Sequence, residues 1–413
     1  MSAPRRTRAG GAKKRPTRYD DRPTAEPLKS ALNAHKKGAF AEATAGYLLA
    51  LDREPDRLDA WLNLAAVHVQ RGRARDAAAA FVRARALALG NARALRDVGI
   101  GLCSIGLFDA GIAALDAALA LDPSLIGAWL QRARACSESG RARDAIDAAT
   151  EAARRAPSDP SAWLELHRAR FSLDDARCSE AARTAFELDP TNPHAALALA
   201  AISLANGAPH EAALDALSAP WQRLLHWCVA RVAHEGSRAL ANKRDGLVLA
   251  AQSIDAAEAL EFGVRFGTST RALAEVCATV HGFDSFEGLP ESFAAKPTGL
   301  FSMERTTPEL PANVTLHVGW FEDTLPRFAE GLSRGAKLLH IDSDLYSSAI
   351  FVLDALAPAL GAGSVIVFDE LVGNEDWEQQ EHRAIVEVSQ RLRWSIEWLS
   401  VSWLTGQAIA RVR

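Results

Sequence analysis

Residues 337–348 read KLLHIDSDLYSS, in which two carboxylates follow directly on an apolar run. The run at 338–341 favours a buried strand, and the residues after it favour the start of a helix. Either Asp344 or Ser347 caps that helix, or Asp342 and Asp344 belong to a metal or catalytic site at the end of the strand. The rest of the chain distinguishes these alternatives.

Short apolar runs alternate with helical patterns on both sides of this stretch. The predicted strands are 257–264, 280–283, 314–318, 337–341 and 364–368. The predicted helices are 269–279, 322–331, 347–360 and 377–391. Such alternation predicts a mostly parallel sheet that helices cover on both faces. The final stretch SIEWLSVSWLTGQAIARVR (395–413) departs from it and predicts two antiparallel strands around Thr405 and Gly406.

The first half of the chain repeats with a period of 34 residues. Three registers share this period: Gly38, Gly72, Gly106 and Gly140; Trp61, Leu95, Trp129, Trp163 and Leu197; and Pro123, Pro157 and Pro190, whose last step is 33. The residues between them are rich in Ala and Leu at helical spacing. Each unit is therefore predicted to be a helix–turn–helix.

This pattern closely resembles the tetratricopeptide repeat (TPR), with about six units over residues 25–217. The resemblance implies an all-α superhelix with a concave surface that binds a peptide or another protein. A dimerisation or spacer role carries equal weight, because repeat folds bind in many ways. The registers end before the strand–helix alternation begins, so the two halves are expected to fold separately.

The length indicates two to three domains, and the composition is that of globular proteins. The 413 residues are 48% apolar and 24% charged, and the net charge of −4 argues against nucleic acid as a partner. Residues 1–24 are rich in Arg, Lys, Gly and Pro and predict a disordered basic tail. Residues 218–244 are interpreted as a bridging helix and linker, and residues 245–413 as the second domain.

The predicted location is the cytoplasm. The five cysteines are scattered and form no C-x-x-C pair, which suits a reducing compartment. No apolar run reaches the roughly 18 residues that a membrane span requires. The N-terminus lacks the apolar segment of a secretory signal.

The loop after the first predicted strand has the glycines of a nucleoside site. In EFGVRFGTSTRALAE (261–275) the chain turns through Gly263 and Gly267 before a helix that Thr or Ser side chains are expected to cap. Asp284 stands 21 residues beyond Gly263, where an acid at the end of the second strand holds ribose hydroxyls. Arg265 takes the place of the second glycine that a dinucleotide pyrophosphate needs. S-adenosylmethionine (SAM) is therefore favoured over NAD.

Four segments carry a more specific resemblance: LEFGVRFGTSTRALA (260–274), HGFDSFEGLPESF (281–293), HIDSDLYSSAIFVLDALAPAL (340–360) and GSVIVFDE (363–370). Together they resemble the class I SAM-dependent methyltransferases, most of all the macrocin- and mycinamicin-type sugar O-methyltransferases. The resemblance covers roughly residues 245–413. It implies a Rossmann-like α/β domain with a seven-stranded sheet whose last two strands form the antiparallel pair.

The resemblance and the loop glycines together suggest roles for single residues. The candidates for cofactor binding are Glu261, Gly263, Gly267, Asp284, Gly319 and Trp320. A magnesium ion is expected between Asp342, Asp369 and Glu370. Asp344 then falls beside Asp342 at the position of the general base, which takes the proton of a metal-bound sugar hydroxyl before its oxygen attacks the SAM methyl group.

One position departs from the family pattern. Typical members have two Asp residues after the fifth strand, whereas this chain has Asp369 and Glu370. Because Glu is one methylene longer, either the metal shifts or Glu370 serves as a base without metal. Four histidines show no ligand spacing, and most of them are expected to be packing or surface residues: His281, His317, His340 and His382. Glu378 and Glu381 follow the acidic pair, where an acceptor could bind, but a solvated helix face is favoured for both.

The expected function is SAM-dependent O-methylation of a sugar or a sugar-containing small molecule, with the TPR array used for docking or oligomerisation. One alternative is a methyltransferase that acts on a protein or glycan held by the array. The other is a scaffold whose methyltransferase domain is inactive, against which the intact motif residues argue. The expected partners are SAM, an acceptor and, through the array, a protein or a second copy.

Overall fold

The computed structural model describes residues 25–292 and 297–413, so the basic tail predicted at 1–24 lies outside the described residues. The first half is helical: α1 (Ala25–Lys36), α2 (Phe40–Arg53), α3 (Leu58–Gln70), α4 (Ala74–Leu87), α5 (Ala92–Ser104), α6 (Phe108–Leu121), α7 (Ile126–Glu138), α8 (Ala142–Arg155), α9 (Pro160–Ala169), α10 (Ala176–Leu188), α11 (Pro193–Ala205), α12 (Glu211–Asp215) and α13 (Ala219–His234). No helix in the described ranges combines the length and apolarity that crossing a membrane takes.

The 34-residue registers correspond to recurring turns between helices and to recurring hydrogen bonds from a helix to the loop before it. Gly72 lies in the turn between α3 and α4 with φ of 70°, a conformation that glycine adopts without strain. The Trp129 indole donates a hydrogen bond to the Pro123 carbonyl (3.0 Å), and Trp163 donates to Pro157 in the same way (2.9 Å). The array consists of five full helix pairs and a sixth, α11 and α12, whose second helix has five residues.

The second half combines a sheet with helices. Its helices are α14 (Lys243–Ser253), α15 (Thr268–Val276), α16 (Phe321–Glu330), α17 (Tyr346–Leu356), a 3₁₀ turn (Trp377–Gln379) and α18 (Glu381–Leu392). Its strands are β1 (Glu258–Phe262), β2 (Thr279–Asp284), β3 (Val314–Val318), β4 (Leu338–Ile341), β5 (Val365–Phe368), β6 (Ile396–Val401) and β7 (Ala408–Val412).

The seven strands form one sheet in the order β3-β2-β1-β4-β5-β7-β6. Strands β1 to β5 pair in parallel, and β7 runs antiparallel to both of its neighbours. The predicted Rossmann-like sheet with a terminal antiparallel pair is therefore confirmed. The order reverses between β1 and β4, and ligands in such sheets bind beyond the carboxyl ends of the strands at that point.

Helix α14 was not predicted, because its first residues fall in the segment interpreted as a linker. The side chain of Asn242 caps it by accepting a hydrogen bond from the Asp245 N–H (2.8 Å). Leu247, Ala250 and Ala251 are buried against the sheet. The helix therefore belongs to the second half and places its first residue, Lys243, beside the strand ends.

The two halves share hydrophobic cores, which argues against the expectation that they fold separately. Phe81 and Leu102 of the array are buried in one cluster with Phe266, Phe286 and Met303 of the second half. A second, larger cluster runs from α10 and α11 through α13 to the sheet. Removing either half would expose apolar surface that the other half now covers.

Candidate active site

A cavity of about 290 Å³ opens at the carboxyl ends of the parallel strands. It brings together eight of the ten residues singled out in the sequence: Gly263, Asp284, Gly319, Trp320, Asp342, Asp344, Asp369 and Glu370. The other two, Glu261 and Gly267, do not line it. The predicted site residues thus converge on one place, although they are spread over more than 100 positions of the chain.

Gly263 is required by contact between two strand ends. Its φ is +99°, and a Cβ at this position would lie 1.9 Å from the carbonyl oxygen of Asp342. The Asp342 N–H donates to the Phe262 carbonyl in the same contact (2.8 Å). Glycine was expected here for approach to a ligand, and the structure gives it a second reason, the approach of β1 to β4.

Gly267 has a structural role at the start of α15. It is the N-cap residue, with φ of +73°, and no Thr or Ser side chain takes the cap position. A Cβ there would lie 2.4 Å from the Leu310 side chain. The predicted turn is present, but the predicted cap is wrong, and this glycine lies outside the cavity.

Asp284 links the two loops that border the cavity. One carboxylate oxygen accepts hydrogen bonds from the N–H groups of Val264 and Arg265 (2.8 and 2.9 Å), and the other accepts one from Phe286 (2.7 Å). A carboxylate offers about four acceptor positions. Binding of ribose hydroxyls, which remains a prediction, would therefore use the remaining position or share those already occupied.

Asp344 stands in a strained position at the end of β4. Its φ of +60° lies in the left-handed region, which Asp tolerates better than most side chains and which is frequent at functional sites. The cap residue of α17 is Leu345, and the Tyr346 N–H donates to the side chain of Gln380 (3.3 Å). This arrangement favours a functional role for Asp344 over that of a helix cap.

A chain of buried charged side chains runs beneath the cavity. Glu261 and His340 are fully buried, and the His340 Nδ1 lies 3.1 Å from the Glu261 carboxylate. The His340 Nε2 lies 3.5 Å from Asp369, whose other oxygen accepts a hydrogen bond from the Lys243 ammonium group (2.5 Å). Glu261 therefore contacts His340 instead of lining the cavity, and the expectation that His340 only packs or faces solvent is wrong.

These contacts set the charge of each group. Burial alone would lower the pKa of His340, but hydrogen bonds to Asp369 and Glu261 raise it to about 10. Burial alone would raise the pKa of Asp369, but Lys243 and His340 hold it below its usual range. Burial and the Asp369 charge together raise the pKa of Asp342 well above its ordinary value.

Two family models match the chain, one of a methyltransferase domain over residues 260–371 and one of a tetratricopeptide repeat over residues 126–169. The chain is a TPR array joined to a methyltransferase domain. The family model of the domain spans the strand ends that form the cavity, from β1 to the residues after β5. No curated protein sequence matches the chain significantly.

Three of the solved structures that are similar to this chain each cover less than half of it. A MamA protein is 21% identical, with 41% of this chain and 92% of that chain covered and a TM-score of 0.36. The type IV pilus biogenesis factor PilW is 21% identical over 47% and 90%, with a TM-score of 0.39. The calicheamicin methyltransferase CalS11 is 24% identical over 41% and 77%, with a TM-score of 0.33.

The methyltransferase domain does not present the expected metal site. Among residues 25–292 and 297–413, no group of three or more His, Cys, Asp or Glu side chains is arranged to hold a metal ion. Asp342, Asp369 and Glu370 all line the cavity, but Asp369 is engaged by Lys243 at 2.5 Å. The residues therefore do not fit a preformed magnesium site with these three ligands.

Three residues of the methyltransferase site were missed in the sequence. Lys243 precedes Asp369 by 126 positions, and no local spacing connects them. Arg265 lines the cavity and places its guanidinium 4.6 Å from the Phe301 ring centroid. Glu381 is only 1% exposed and accepts a hydrogen bond from the Glu370 N–H (3.3 Å), so its expected place on a solvated face is wrong.

Proposed function

We propose that the chain is a SAM-dependent O-methyltransferase that acts on a hydroxyl of a sugar or a sugar-containing small molecule. One observation carries the proposal: a single cavity joins Asp284 and Gly319 at one side to Asp342 and Asp344 at the other. The first pair matches a nucleoside-binding edge of the sheet. The second pair supplies carboxylates that can accept a proton.

SAM, when bound, supplies an electrophilic methyl group. Asp284 and the backbone around Gly263 would hold the nucleoside, and Trp320 would border it. Asp344 would accept the proton of the acceptor hydroxyl as its O–H bond breaks. The oxygen would then bond to the methyl group while the bond from methyl to the SAM sulfur breaks and S-adenosylhomocysteine leaves. Asp342 lies beside Asp344, and burial and the Asp369 charge raise its pKa. No step uses magnesium, because Lys243 engages one of the three expected ligands.

A cavity shared by the array and the methyltransferase domain supports the proposal. A cavity of about 450 Å³ lies between α7, α9 and α11 of the array and Glu370 of the methyltransferase domain. Trp403 and Gly406 complete the wall on the domain side. An acceptor that extends beyond a single sugar would rest on the array while its hydroxyl reaches the carboxylates. This arrangement also favours the second candidate, a glycan or protein acceptor held by the array.

Isothermal titration of the full chain with SAM tests the proposal. We expect a Kd in the micromolar range, about −8 kcal/mol. The matched variant Asp284→Asn keeps an acceptor oxygen but removes the charge, and it should weaken binding about tenfold through lost charge-assisted hydrogen bonds. Absence of binding at millimolar SAM would leave only the scaffold alternative.

The acceptor class is tested by following SAM consumption with sugars that carry vicinal hydroxyls, alone and as parts of larger glycosides. Methylation of the hydroxyl, identified by mass spectrometry of the product, is the expected result. A panel that yields turnover only with proteins would support the second candidate instead.

A further inference from the structure

An ammonium group lies where the family resemblance leads one to expect a metal. The Lys243 Nζ lies 2.5 Å from an oxygen of Asp369. The carboxylates of Asp369, Asp342 and Glu370 are also the ones whose charges stabilise this ammonium group. They are the same three carboxylates that were expected to hold magnesium.

We propose that Lys243 supplies from within the chain the positive charge that a divalent cation supplies in metal-dependent methyltransferases, so that this enzyme works without a metal. The inference rests on the proposed function for its catalytic meaning. Its structural content, the occupation of the cation position by a side chain, is independent of that function.

The fold fixes Lys243 in this position. It is the first residue of α14, whose buried Leu247, Ala250 and Ala251 attach the helix to the sheet. The next residue, Arg244, forms an ion pair with Glu275 of α15 and so secures the same end of the helix. A side chain on an anchored helix loses less conformational freedom in forming the ion pair than one on a mobile loop.

Electrostatics disfavours a second cation in the same place. Magnesium requires near-ideal octahedral oxygen coordination and gives up its water reluctantly. To bind Asp369 it would have to displace an ammonium group already in contact with that carboxylate, whose charge repels a second cation. The Lys243 ammonium group therefore already compensates the negative charge of Asp369 without a metal ion.

The ammonium group also borders a second cavity between the two halves, separate from the one that Trp403 and Gly406 line. Lys243, Asp342 and Asp369 line a cavity of about 620 Å³ between the array and the methyltransferase domain. An ammonium group has three donors, and Asp369 uses one of them. Lys243 can therefore donate to an acceptor oxygen at this place, as a metal ion would coordinate it.

Binding of Mn²⁺, measured by electron paramagnetic resonance on the full chain, tests the inference without requiring turnover. The wild type should leave the spectrum of free Mn²⁺ unchanged. Lys243→Ala removes the ammonium group and leaves the carboxylates together, so it should bind Mn²⁺ at least about tenfold more tightly than the wild type. Lys29→Ala, at an exposed position of α1, is the matched control and should behave as the wild type.

Two results would overturn the inference. One is a wild type that binds one Mn²⁺ per chain as tightly as Lys243→Ala does. The other is a folded Lys243→Ala chain that binds no more Mn²⁺ than the wild type. If Lys243→Ala does not fold, binding of one Mn²⁺ per chain by the wild type, abolished by Asp369→Asn, would overturn the inference, and an unchanged spectrum of free Mn²⁺ would support it. SAM titration of the same wild-type sample reports separately on the proposed function, so the two can fail independently.

Discussion

Asp342 and Asp369 lie at the ends of neighbouring strands, but their surroundings differ. Asp369 faces Lys243 and His340, which hold its pKa below the usual range. Asp342 is half-buried beside it, and burial together with the Asp369 charge raises its pKa. The two pKa values are thus shifted in opposite directions, which suits Asp369 to the role of a fixed anion.

Asp344 is the residue whose replacement should affect chemistry alone. Asp344→Asn keeps the size and the left-handed conformation, so SAM affinity should be unchanged, while turnover should fall by about 10² to 10⁴ through loss of general-base catalysis. The exposed Asp215→Asn on α12 is the control for loss of one negative charge. If Asp344→Asn retains full turnover, the base lies elsewhere.

His167 makes the stability of the array depend on pH. It is buried on α9, its Nδ1 donates to the Cys178 carbonyl (3.0 Å), and burial lowers its pKa to about 4. The unfolded chain, with a pKa near 6.5, binds the proton more readily. The free energy of unfolding should therefore fall as pH decreases from about 6.5 to 4, by up to about 3 kcal/mol from this residue.

The matched variant for this titration is His167→Gln. Urea unfolding at several pH values should show the difference in stability between wild type and variant shrinking as pH falls. A difference that stays constant from pH 7 to 4.5 would mean that His167 does not titrate in this range.

At the scale of elements, strands were predictable because their signal is local. Each parallel strand is a short apolar run, and β3 was predicted with its observed bounds, 314–318. Helix α14 was not, because Gly246 lowers its helix propensity and only one face is apolar. The contact between Lys243 and Asp369 could not be predicted either, because the two residues come together only when the chain folds. The sequence therefore predicted the acidic residues at the strand ends but not the Lys243 ammonium group that contacts Asp369.

The close contact between β1 and β4 predicts that one added methyl group, in Gly263→Ala, destabilises the fold. Gly263→Ala would place a Cβ 1.9 Å from the Asp342 carbonyl oxygen, so the two strand ends must separate. Gly236→Ala is the matched control, because Gly236 has a φ of +75° with nothing within 4 Å of its added Cβ. Both variants carry the backbone cost of about 1–2 kcal/mol.

We expect Gly263→Ala to lose at least about 2 kcal/mol more of unfolding free energy than the control, as an overpacked core does. It should also lose SAM binding. Chemical denaturation of both variants makes the comparison, and equal losses would show that the strand ends tolerate separation.

At the scale of the whole molecule, the array contacts the loop at 301–304, which borders the cavity at the strand ends. Glu304 accepts hydrogen bonds from Arg71 (2.6 and 2.8 Å) and from Arg73 (2.9 Å) in the turn between α3 and α4. A Cβ on Gly72 in that turn would lie 2.5 Å from the Met303 backbone. The same loop carries Phe301 into the cavity. The array therefore positions a loop of the methyltransferase domain that borders the cavity.

The ion pairs between array and loop predict that a change in the array weakens SAM binding. Arg71 is 14% exposed in its pair with Glu304, and its loss would free the loop that carries Phe301. Arg71→Ala should therefore raise the Kd for SAM about fivefold, roughly 1 kcal/mol. Arg75 pairs with Glu309 across the same boundary, but both side chains are 77% exposed, so Arg75→Ala is the matched control and should have no measurable effect. Equal SAM affinity in wild type and Arg71→Ala, measured by isothermal titration, would show that the loop keeps its position without the array.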